Sequence, residues 1–227
     1  MKKRSRPSRV FSWEARFRNF FWLPSHEAFL PLAPCKEHFS EVRDIVYFDL
    51  ETQRSFNDVK GDKSKMAVSV AVTYSTKAGK YFVYGEDEMD ALVDQLRKAD
   101  LVVGHNHMEF DYPVLQKYTV LELKEQTMNL DTMLDLQEIT GRRWKLDAVA
   151  AGSLGIGKSA SGVDALKWWQ EYLKTGEQKH LIDIAEYCAV DVKVTKCVYE
   201  YGVEHGHVKI DDGSAVPVEV EVNWQGE

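Results

Sequence analysis

Val46-Tyr-Phe-Asp-Leu-Glu51 is a run of β-formers with two carboxylates at its far end. Successive side chains of a strand alternate faces, so Asp49 and Glu51 project side by side while Val46, Phe48 and Leu50 face the other way. Two adjacent carboxylates at the end of an apolar strand repel each other unless positive charge lies between them. A divalent cation supplies that charge most simply, and hard oxygen ligands favour magnesium or manganese. An isolated Asp-x-Glu is more often a strand running into a polar loop, so the assignment depends on what the rest of the chain adds.

Around this stretch the pattern is that of an α/β domain. Asp44–Leu50 reads as a buried strand, and Met66–Tyr74 and Lys80–Tyr84 as a hairpin closed by Lys77-Ala-Gly79. Glu86–Lys98 has Met89, Leu92, Val93 and Leu96 on one helical face. Leu101–Val103 is a short apolar strand, Asp111–Tyr118 a helix with Pro113 in its first turn, and Thr127–Leu130 a further strand before a helix from Thr132. Helices follow over Leu146–Leu154, Ala165–Leu173 and His180–Tyr201, then a terminal β-hairpin from Val208–Ile210 and Val216–Val222. Five strands in this order imply a mixed sheet covered by helices on both faces.

Composition sets the limits. The chain has 227 residues, enough for one α/β domain with extensions, and its 44% hydrophobic and 29% charged residues are those of a globular protein. No apolar run is long enough to span a bilayer, so no membrane partner is expected. Cys35, Cys188 and Cys197 form no Cys-x-x-Cys pair, which fits a reducing, cytoplasmic setting rather than a disulfide framework. The net charge of −7 conceals an uneven distribution: Lys2, Lys3, Arg4, Arg6, Arg9, Arg16 and Arg18 stand against Glu14 alone near the N-terminus. Residues 1–40 form a basic and aromatic extension, 41–205 the core, and 206–227 the hairpin. Trp13, Phe17, Phe20 and Phe21 follow helical spacing, and packing on the core or on a protein partner best accounts for so many aromatics. The same pattern also suits nucleic-acid stacking, a membrane-surface helix or an organellar presequence.

Further residues and constellations bear on chemistry. Asn106 and Asp111 lie where a strand exits and a helix begins, the edge at which α/β sheets gather ligands; Asp111 alone reads as a helix N-cap. Tyr187 and Asp191 are four apart and share a helix face. Asp131, before Thr132, reads as a helix cap or a support for the ligands. Gly152-Ser-Leu-Gly-Ile-Gly-Lys-Ser159 fits the phosphate-loop pattern letter for letter, but alanine-rich helical spacing precedes it where a P-loop NTPase needs a strand. His105 and His107 have no nearby cysteine or third histidine to make a zinc site.

Asp49-x-Glu51, Asn106-x-x-x-Phe110-Asp111 and Tyr187-x-x-x-Asp191, in that order, resemble the motifs of the DEDD (DnaQ-like) 3′–5′ exonucleases, whose fold is ribonuclease H-like. Tyr187 matches the tyrosine branch, DEDDy. Gly104–Leu115 is similar to the proofreading domain of family B DNA polymerases, and Leu146–Lys158 resembles the helical stretch those domains carry next. His105 departs from the aromatic residue usual there. The resemblance covers residues 41–205. It implies that Asp49, Glu51, Asp111 and Asp191 bind two Mg2+ or Mn2+ ions, and that Tyr187 hydrogen-bonds the attacking water. It also implies that Asn106, Phe110 and the backbone at Leu50 or Thr52 contact the terminal nucleotide. The expected activity is stand-alone removal of nucleoside 5′-monophosphates from single-stranded or frayed 3′ ends, DNA before RNA, in a role such as DNA repair. The chief rival is an inactive module of the same fold that binds nucleic acid or a protein.

Overall fold

The computed structural model describes residues 43–156 and 162–225. The opening stretch forms β1 (Ile45–Thr52), the central strand of a mixed five-stranded sheet. On one side β1 pairs antiparallel with β2 (Val68–Ser75), which sets Asp49 opposite Val72 and Glu51 opposite Val70. Strand β2 then pairs with β3 (Lys80–Gly85) across the expected turn. On the other side β1 runs parallel to β4 (Leu101–Gly104), and β4 parallel to β5 (Asn129–Asp131), giving the order β3-β2-β1-β4-β5.

The alternation within β1 separates two cores. Val46, Phe48 and Leu50 pack with Met89, Leu92, Val93 and Leu96 of α1 (Met89–Lys98) and with Tyr112, Val114 and Leu115 of α2 (Asp111–Leu115). After the short α3 (Leu123–Gln126) come α4 (Thr132–Thr140), α5 (Leu146–Leu154), α6 (Gly162–Thr175) and the 28-residue α7 (Gln178–His205). Helix α7 crosses the opposite sheet face, against β1 and β2, where Tyr47 meets Tyr199 edge-on at 5.8 Å. Its buried stripe, Ile184, Ala185, Cys188, Val192, Thr195 and Tyr199, follows the three-to-four-residue spacing of one helix face. Asp49 and Glu51 therefore point at α7.

Two helix boundaries differ from expectation, and the phosphate-loop stretch behaves as its context predicts. The helix expected over Glu86–Lys98 opens as a 3-10 turn at Glu86–Glu88, because the Glu88 carboxylate accepts the Gly85 N–H at 2.9 Å. Helix α2 stops at Leu115 rather than Tyr118; the Tyr118 hydroxyl instead accepts the Val68 N–H at 2.9 Å, tying the chain to the start of β2. The phosphate-loop reading fails on its entry: Leu146–Leu154 is helix, not strand, and α5 ends at Gly155 in the left-handed region. Gly152 has a packing reason. A Cβ there would lie 2.4 Å from the Lys209 carbonyl oxygen, so glycine lets α5 touch β6 (His207–Ile210). Strand β6 pairs with β7 (Val218–Glu221) in the terminal hairpin, which packs on α5 and α7. The basic N-terminal extension and Lys158–Ser159 lie outside the described residues. Among those described, no helix is long and apolar enough to cross a membrane.

Candidate active site

One ligand oxygen each from Asp49, Glu51 and Asp191 lies within 4.8 Å of the others. Strand alternation supplies the first two. The third comes from α7, whose apolar stripe seats on the same sheet face and leaves Tyr187 and Asp191, one turn apart, at its margin. The fully buried Cys188 fixes the contact: its thiol donates toward both the main-chain oxygen and Oδ2 of Asp49, at 3.3 Å each.

Asp111 enters differently. Phe110 holds the cap position of α2, and Asp111 is its first residue. The local reading of Asp111 as an N-cap is thus corrected: Oδ1 accepts the Leu50 N–H of β1 at 3.2 Å. Asp111 is outside the close trio but near enough for its charge to raise the pKa of Asp49 and Glu51.

The electrostatics are those of crowded acids. Burial, then the charges of Asp111, Asp191 and Glu51, hold the Asp49 carboxyl well above the usual carboxylate range. Burial, Asp191 and Asp111 do the same to Glu51. Asp111 is pushed up to about 7 by burial and by Asp131, against the opposing pull of the Leu50 N–H and Lys63. Asp191 is pushed up to about 6 by burial and by Asp147, partly offset by its hydrogen bond with Tyr187. The Tyr187 phenol is raised by burial and then by Asp191 and Glu51, so it stays protonated at neutral pH. Trp168 of α6 meets the Tyr187 ring edge-on at 6.3 Å.

The loop from Gly104 to Phe110 is held from below by Asp131. Its carboxylate caps α4 through Met133 N–H and Leu134 N–H, and it also accepts Asn106 N–H at 2.7 Å and Met108 N–H at 3.0 Å. This clamp keeps Asn106 in the left-handed region, at φ 74°, with its side chain at the rim. There Asn106 Oδ1 accepts from Arg143, which also pairs with Glu109. His105 is partly buried and spends both ring nitrogens, on Thr132 Oγ1 and on the Trp144 carbonyl, so it is a tether and not a ligand. Phe110 is partly buried under the Lys63 ammonium, which sits 5.9 Å from the ring centre. The Leu50 N–H is taken by Asp111, and the Thr52 hydroxyl donates to the Arg54 carbonyl at 2.9 Å.

The sequence reading missed Cys188, Lys63, Arg143 and Asp147 as neighbours of the site. Cys188 had a signal, since helical spacing puts it on the buried stripe, next in sequence to Tyr187. Lys63 opens a single 3-10 turn and Arg143 sits in a loop, where no periodicity points to a partner.

The donor set suits a divalent ion. Four buried or partly buried carboxylates converge with raised affinity for protons, all oxygen donors of the kind Mg2+ and Mn2+ take. Comparison with known proteins agrees with the fold. Among curated proteins none matches the chain. The family B DNA polymerase of the hyperthermophilic archaeon Pyrobaculum calidifontis is similar in structure, with a TM-score of 0.51 and 18% identity. The likeness covers 74% of this chain and 25% of the polymerase, so the chain spans about a quarter of that protein's length. At such identity the likeness concerns the fold alone. Residues 46–203, from the first strand to near the end of α7, match the family description of the RNase_H superfamily. The chain therefore belongs to the RNase_H superfamily, a superfamily of nucleases.

Proposed function

We propose that the protein is a metal-dependent 3′–5′ exonuclease that removes nucleoside 5′-monophosphates from single-stranded or frayed ends, with DNA the favoured substrate. The observation that carries this reading is the convergence of Asp49, Glu51 and Asp191 from two distant segments, with Asp111 beside them and Tyr187 hydrogen-bonded to Asp191. In this reading the four carboxylates hold two Mg2+ or Mn2+ ions, whose charge they balance. Bound there, such ions supply Lewis acidity toward a water and toward the departing 3′ oxygen.

The chain's own groups divide the remaining work. Tyr187, kept protonated by burial and by Asp191, hydrogen-bonds and orients a water rather than acting as a base that removes its proton. Cys188 holds the Asp49 carboxylate in one orientation. Asn106, locked by the Asp131 clamp, offers its amide to the terminal nucleotide, and the half-buried Phe110 ring gives that nucleotide an apolar wall. Thr52, at the end of β1, and the backbone at Leu50 lie next to the acids, where a 3′ end would arrive.

Strand polarity is the test. A single strand labelled at its 5′ end should give a ladder that shortens with Mg2+ or Mn2+ and stops with chelator. A 3′-terminal phosphorothioate should slow it. Internal nicking of a circular strand would contradict the exonuclease assignment. Tight binding with no metal-dependent cleavage would favour the inactive-module alternative.

A further inference from the structure

A second group of titratable side chains lies at the far end of α7, where the chain turns into the terminal hairpin. His205 and His207 flank Gly206 there, and with Asp135, Glu219 and Glu221 they line a cavity of about 490 Å3.

His205 Nδ1 is 2.9 Å from the Tyr201 carbonyl oxygen. A carbonyl only accepts, so Nδ1 carries the hydrogen and the neutral ring presents a bare Nε2 lone pair. A carbonyl-held imidazole of this kind is how metal-ligating histidines are usually oriented. The Tyr201 ring stacks on His205 with centroids 4.1 Å apart and steadies it. His207 Nε2 is buried, has no hydrogen-bond partner among the described residues, and stands 3.5 Å from Glu219 Oε2. The two imidazole centroids are 5.9 Å apart with the rings inclined at 70°. Two imidazoles sharing one zinc ion, each at about 2.0–2.1 Å, place their centroids roughly 5–6 Å apart. Among the described residues the acid cluster is the one set of three such side chains whose ligand atoms already lie within 4.8 Å of one another, so an ion here must draw its ligands together. Glu219 and Glu221, both exposed on β7, are the side chains with room to swing inward. His105 and the buried His107 offer no such arrangement; both nitrogens of His105 are spent within the fold.

We propose that His205, His207 and Glu219 bind a borderline-soft divalent ion of the zinc class, at a site separate from the acid cluster. An ion there would cross-link the end of α7 to β6 and β7 through three side chains, with its remaining position open to the cavity.

The test uses the full chain carrying Asp49→Ala and Asp191→Ala, which removes two ligands from the acid cluster. Zn2+ is titrated against a chromogenic chelator, and Co2+ is followed by its visible absorption. One ion is expected to bind saturably, and cobalt to show the intense bands of a low-coordinate site. His207→Gln and Glu219→Gln should each weaken zinc by about tenfold or more. Glu219 is an exposed strand residue, so its variant separates loss of a ligand from loss of fold, which far-UV circular dichroism verifies. Absence of saturable binding would overturn the proposal, as would an affinity in both variants unchanged from that of the Asp49→Ala, Asp191→Ala protein, which would mean adventitious capture elsewhere.

Discussion

Asp111 illustrates how a residue's role depends on a distant partner. Its position before a helix favours an N-cap, yet its carboxylate turns to the Leu50 N–H of the central strand. No local rule could show this, because the deciding donor is far away in sequence. Asp49 and Glu51 were legible because strand alternation alone places them together; Tyr187 and Asp191 were legible from helix spacing. The push of Asp147 on Asp191 was not. These shifts have a consequence for stability. Asp111 and Asp191 titrate near about 7 and about 6, above their ordinary range, so the folded, metal-free protein binds more protons than the unfolded chain between those values and about 4. Their stabilising contribution is complete below the unfolded pKa and is lost as pH rises through 6 to 7. Mg2+ or Mn2+ should therefore raise the thermal midpoint more at about pH 8 than at about pH 5. Equal increments at both would mean that the ion does not meet these carboxylates. Tyr187→Phe should lower kcat by about 10²-fold with little change in KM, read in steady-state digestion of a short oligonucleotide.

At the scale of elements, the strands and long helices followed their periodicities, whereas boundaries shifted where side chains intercepted backbone groups. Tyr118 ended α2 early by capturing the Val68 N–H, and Glu88 tightened the approach to α1. The glycine-rich stretch from Gly152 shows why a motif needs its context. In α5, Gly152 allows close contact with β6, and no strand leads into the loop. Gly152→Ala should cost about 1–3 kcal/mol in urea unfolding, because the added methyl meets backbone that cannot swing aside. Lys158→Ala should leave nuclease activity intact; loss of a nucleoside-triphosphatase turnover in that variant would revive the phosphate-loop reading.

For the whole molecule, the fold was legible because one buried strand alternates cleanly between two cores, and the RNase_H match spans the same elements. The net charge of −7 was the least informative quantity, since acids crowd the site while basic residues gather at the N-terminus. If that basic, aromatic segment extends the strand-binding track, deleting residues 1–22 should weaken oligonucleotide binding and flatten its salt dependence. An unchanged slope would remove that role. The account rests finally on the acids of β1. Its most direct test is digestion of a 5′-labelled single strand by the parent protein and by Asp49→Ala, side by side in Mg2+ and in chelator. The parent should shorten the strand only with metal, and the variant should be slower by on the order of 10³-fold with its circular dichroism unchanged. Equal digestion by both proteins would contradict the central claim.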